Sequence, residues 1–132
     1  HAGITELQLP VAAFKYFNNK IYAVGGYGQA AVNIYYTSTL SPNSQFILST
    51  ETSAMQQAHL DYSDMQIMYS TATSSTDKLY ATNSEAKVYY LPFGTTTWAN
   101  FNLGNASTPH LMCPFGNRMY VTDNFNTIYS CV

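Results

Sequence analysis

Charge is scarce in this sequence. Only 9% of its 132 residues are Asp, Glu, Lys or Arg, against roughly 25% in an ordinary soluble domain. The five basic residues, Lys15, Lys20, Lys78, Lys87 and Arg118, are scattered, and the net charge is −2. No basic stripe is available to neutralise phosphates, which argues against nucleic acid as a partner. A polybasic membrane patch is missing as well. No apolar run approaches the roughly 20 residues of a membrane-spanning helix, so no membrane insertion is expected.

Catalytic and ligand motifs are equally sparse. There is no HExxH and no nucleophile elbow, and Asp61 and Asp64 are the one close pair of carboxylates. The Gly-rich "VGGYGQ" (24–29) opens no helix, so it lacks the physical basis of a phosphate cradle and reads as a tight turn. An amino-terminal His1 with His59 or His110 has the ingredients of copper chelation, as in secreted lytic polysaccharide monooxygenases, but no further motif accompanies them. His59 and His110 each precede Leu in strand-like settings, where a structural role is the plainer reading. No catalytic residue, metal or cofactor is expected, and the chain is read as non-enzymatic.

The two cysteines, Cys113 and Cys131, are a disulfide candidate if the protein is secreted, although two alone demand no bond. Helix signals are confined to "STETSAMQQAHLDYSDM" (49–65), where Thr50 or Thr52 suits a cap; a strand at "QQAHLDY" fits equally well.

What replaces charge is Thr, Ser, Asn and 12 Tyr, in a chain that is 46% hydrophobic. Tyr and Thr favour strands; Asn, Ser and Gly favour turns. The expectation is one all-β domain over 1–132. Solubility through hydroxyls and amides suits a secreted protein, and "NAS" (105–107) offers a glycosylation sequon at Asn105. The start at His1 without Met reads as a processed chain or a piece of a longer one.

A pattern recurs three times, as "NNKIYAVGG" (18–26), "TDKLYATN" (76–83) and "GNRMYVTDN" (116–124). Each copy follows a short apolar strand and a polar turn, and leads to a strand ending in Tyr-Tyr or Tyr-Ser. Anchored on Tyr22, Tyr80 and Tyr120, the copies are 58 and 40 residues apart, averaging in the range of propeller blades. A second alignment, on Ala12-Ala13, His59-Leu60 and His110-Leu111, gives 47 and 51 and sets "MYS" (68–70) opposite "IYA" and "MYV". Both give three units, over about 11–58, 59–108 and 109–132. The third lacks a last strand, which "ITELQLP" (4–10) can supply; closure of that kind removes an open edge.

Three blades are too few for a propeller of 4–8. The expectation is a ring completed by self-association: a homodimer gives six blades and is preferred, and a trimer gives nine. A fragment of a longer propeller and a β-sandwich are the alternatives.

The units "PVAAFKYFNNKIYAVGG" and "KLYATNSEAKVYYLPFGTTTWANFNLGN" resemble the blades of the fungal and bacterial fucose-binding lectin propellers. "AVGG" followed by "NIYY" and Phe46 also resembles a Kelch repeat. In the lectins an Arg before apolar-Tyr binds the sugar, a Glu on the next strand accepts from its hydroxyls, and an aromatic ring stacks on it. The resemblance places Arg118 at the Arg position, with Lys20 and Lys78 in the other units, which loses planar bidentate geometry there. It puts Tyr36, Tyr90 and Ser130 at the Glu position, and Trp98 and Phe46 at the aromatic one. The family's fucose site is therefore not carried over intact.

The expected function is a secreted, multivalent carbohydrate-binding protein, with Trp98, Arg118, Tyr90, Tyr36 and Lys78 as candidate glycan-binding residues. Competing readings are packing between units for Trp98, strand packing for Tyr22, Tyr80 and Tyr120, and a salt bridge to Asp123 or a solvated role for Arg118. The alternative function is a structural or protein-interaction subunit of an extracellular or viral assembly, without a sugar site.

Overall fold

The computed structural model describes residues 11–27, 31–37, 47–48, 63–70, 76–83, 87–103, 109–123 and 127–131. These residues form eleven strands and no α-helix. Strands β1 (Val11–Phe17), β2 (Lys20–Tyr27), β3 (Ala31–Thr37) and β4 (Ile47–Leu48) pair in chain order as a first antiparallel sheet. The second sheet repeats that order with β5 (Ser63–Met68), β6 (Lys78–Asn83), β7 (Lys87–Pro92) and β8 (Ala99–Asn102). A third holds β9 (Pro109–Phe115), β10 (Arg118–Asp123) and β11 (Ile128–Cys131), with β10 central. The protein is all-β in three small sheets, and no closed barrel is formed among the described residues.

The local sequence accounts for the hairpins. Phe17 pairs with Lys20 across Asn18 and Asn19, at φ 48° and 61°. A two-residue turn with both central residues left-handed matches strand twist, and Asn is among the few side chains that tolerate it. In the third sheet Phe115 pairs with Arg118 across Gly116 and Asn117, and Gly116 takes φ 59°. The corresponding connection in the second sheet, from Met68 to its partner Lys78, spans nine residues, 69–77.

Register relates the sheets. Tyr22 lies opposite Tyr36, Tyr80 opposite Tyr90, and Tyr120 opposite Ser130. Each tyrosine sits on the second strand of its sheet. "MYS" instead begins on the last residue of β5, a first strand, so it does not share a place with "IYA" and "MYV".

Side chains alternate between the two faces of a strand, and the second sheet is buried on both. One face, with Met65, Ile67, Leu79, Ala81, Tyr89 and Leu91, packs with Trp98 on Phe17, Tyr22, Val24 and Ile34 of the first sheet. The other, with Met68, Tyr80 and Val88, packs on Met112, Met119, Val121 and Cys131 of the third. Strand β5 lies between β1 and β9. Two polar side chains stitch the second sheet to the third. The Asp64 carboxylate accepts from Met65 N at 2.8 Å and, across the junction, from Met112 N at 2.9 Å. Thr82 Oγ1 accepts from Asp64 N at 3.0 Å and donates to the His110 carbonyl at 2.8 Å.

Tyr80 is fully buried, and its hydroxyl has no hydrogen-bond partner. Burial first, then Cys131 and Tyr90, pushes its pKa up to about 12. Between about pH 10 and 12 the unfolded tyrosine ionises while the folded one keeps its proton, so stability falls as pH rises through that window. Tyr80→Phe is expected to leave the protein as stable at pH 7 or more so, by about 1 kcal/mol. It should also flatten the alkaline decline. Urea unfolding of both forms at pH 7 and pH 11 checks this; a variant losing more than about 1 kcal/mol at pH 7 contradicts it.

Several expectations change here. Cys113 is exposed, Cys131 is buried, and both are free. Cys131 pairs with Met119 and Cys113 with Tyr120, so the thiols project from opposite faces with β10 between them. The disulfide is thereby corrected, and burial pushes the Cys131 thiol up. The "VGGYGQ" turn is corrected in part. Strand β2 runs on through Gly25 and Gly26 to Tyr27, because both glycines pair with β3 at Asn33 and Val32. The closing strand at 4–10, Phe46, His1, His59 and Asn105 lie outside the described residues, as does the 49–65 segment before Ser63.

Candidate functional site

The nine-residue connection sets the second sheet apart. Where β1–β2 and β9–β10 close in two residues, nine join β5 to β6, and the described ones, Tyr69, Ser70, Thr76 and Asp77, form a wall. A cleft of about 410 Å³ lies there, at the junction with the third sheet. Its floor is made by three strand ends in register: Met68 closing β5, Lys78 opening β6 and Pro92 closing β7. The connection adds Tyr69, Ser70, Thr76 and Asp77, and the β9–β10 hairpin of the third sheet adds Asn117.

Asp77 is a structural anchor for this wall. It is buried; its Oδ1 accepts from Ser70 N at 2.6 Å and its carbonyl from Phe93 N at 2.9 Å. One residue thus ties the start and end of the connection to the turn after β7. Tyr69 is 69% exposed, which leaves ring surface for a ligand. The Lys78 ammonium lies 5.5 Å from the Tyr90 ring centroid, whose ring stacks on Phe101 at 4.8 Å. Aromatic packing beneath the cation limits its freedom and orders a donor at the cleft.

The sequence candidates are dispersed. Lys78 lines the cleft, and Tyr90 supports it from below. Tyr36 takes the matching place in the first sheet, tilted on Tyr22 with the Lys20 ammonium 5.2 Å from its centroid. Arg118 stands on the third sheet and donates to Ser130 Oγ at 3.2 Å, while Asp123, its expected partner, accepts from Thr127 N. Trp98 is the clear correction. It is buried between the first two sheets, edge-on to Tyr22 at 6.1 Å, and presents no face to a ligand.

Tyr69, Asp77 and Asn117 escaped the sequence reading. The signal was the length difference between "FNNK" (17–20), "FGNR" (115–118) and "MYSTATSSTDK" (68–78), which marks a connection that builds more than a turn. Among the described residues no group of His, Cys, Asp and Glu is placed to hold a metal ion. No protein family, curated protein or solved structure matches this chain.

Proposed function

We propose that this protein binds carbohydrate, without catalysis, in the cleft between its second and third sheets. The observation that carries the reading is the convergence of exposed Tyr69 and Asn117 on a floor where the half-buried Lys78 lies between apolar Met68 and Pro92. An aromatic face suits the C–H side of a sugar ring, and an ammonium and an amide suit its hydroxyls. The three sheets are read as propeller blades, a reading supported by their matching strand order and by first strands that lie side by side. Secretion and glycosylation at Asn105 belong to the same proposal.

A glycan array probed with the whole labelled protein is the test. Binding to at least one glycan class is expected, with Tyr69→Ala weakening it tenfold or more, about 1.4 kcal/mol, and Lys78→Ala weakening it several-fold. Both variants should keep near-native unfolding midpoints. An array without signal, or one unchanged by Tyr69→Ala, rejects this cleft as a sugar site. The structural-subunit reading draws on one observation, the exposed aromatic side chains on the outer sheets.

A further inference from the structure

The two outer faces of the stack carry the same pattern as its two inner junctions. On the first sheet, Phe14 lies opposite Ala23 and Tyr16 opposite Ile21. Their register equivalents on the second sheet are Met65, opposite Ala81, and Ile67, opposite Leu79. Met65 and Ile67 are buried beneath the first sheet, whereas Phe14 and Tyr16 are 68% and 55% exposed.

The far face of the third sheet shows the reciprocal. Phe115 pairs with Arg118 as Met68 pairs with Lys78, and Ile128 precedes Ser130 by two residues as Val88 precedes Tyr90. Met68 and Val88 are buried against the third sheet, while Phe115 and Ile128 are 75% and 67% exposed. One end of the stack thus exposes the face that elsewhere receives a preceding sheet. The other end exposes the face that elsewhere covers a following one.

We infer that these ends mate between copies: the Phe115–Ile128 face of one chain packs on the Phe14–Tyr16 face of a second, continuing the junctions built inside the chain. The contact is heterologous, and two copies meeting at both ends close a ring of six sheets. The inference does not rest on the sugar site, since Tyr69 and Lys78 line the cleft of an internal junction.

Native mass spectrometry and sedimentation of the full chain test it. A mass of two chains is expected. Phe14→Asp alone and Phe115→Asp alone should each give a monomer, because each disrupts both junctions of the ring. Mixing the two variants should restore two-chain particles, through the single junction in which both partners keep their phenylalanine. Far-ultraviolet circular dichroism checks that the monomers keep their strands, and Phe14→Leu, which preserves an apolar face, should keep the dimer. A monomeric wild type overturns the inference. So does a dimer that survives either charged variant, or a folded pair of variants that fails to recombine on mixing.

Discussion

Trp98→Ala is expected to destabilise the protein by about 3–4 kcal/mol, the cost typical of deleting a large buried aromatic side chain. Trp98 precedes β8 and lies in the core between the first two sheets, against Tyr22 and in one cluster with Ile34 and Leu91. Truncation removes the whole indole from a core whose neighbours are held by strand pairing. The backbone cannot collapse into the gap without breaking register, so most of the cavity persists. Urea unfolding should show a midpoint shift with little change in slope. The informative comparison is with Tyr69→Ala, which should alter ligand binding and leave the midpoint nearly in place. If Trp98→Ala instead leaves stability intact and removes glycan binding, the roles of the two aromatics are reversed.

Asp64→Ala should cost about 2–3 kcal/mol, although it removes only a small side chain. The carboxylate is shared between Met65 N on its own strand and Met112 N on the third sheet. Hydrogen bonds to a charged acceptor exceed neutral ones, and a buried donor left unpaired carries its full desolvation penalty. Met112 is buried, so water does not readily replace the lost acceptor. Asp64→Asn should fall between the two, because its amide retains one acceptor oxygen while its NH2 meets a second donor. Thr82 hydrogen-bonds the Asp64 backbone and reaches the His110 carbonyl. Thr82→Val combined with Asp64→Ala should therefore be non-additive in a double-mutant cycle by at least about 0.5 kcal/mol. Strict additivity would show that the two stitches act independently. A loss under about 1 kcal/mol for Asp64→Ala would show that the junction is held by Met112, Met119 and Val121 alone.

Much of the architecture was written locally. Scarce charge and abundant Tyr, Thr and Asn indicate strands and turns because those propensities act within a few residues. The Lys/Arg–apolar–Tyr pattern recurs because register repeats: each such tyrosine faces the same place on the next strand, which holds Tyr36, Tyr90 or Ser130. Asn18-Asn19 marks its hairpin because few side chains tolerate the left-handed backbone there.

The sequence did not say what covered those faces. Tyr69 and Trp98 are both aromatic residues near the ends of strands, and their propensities are alike. One stands exposed on an enlarged connection and the other is sealed between sheets, a distinction that comes from which surfaces meet. The Asp64–Met112 bond joins residues 48 apart in sequence, and the cysteines diverge because their register partners, Met119 and Tyr120, are adjacent on one strand. Local chemistry determined strands, turns and repeat. Contacts between sheets, made only once the repeats stack, decided which aromatics form the core, which carboxylate bridges a junction and where a cleft is left between sheets.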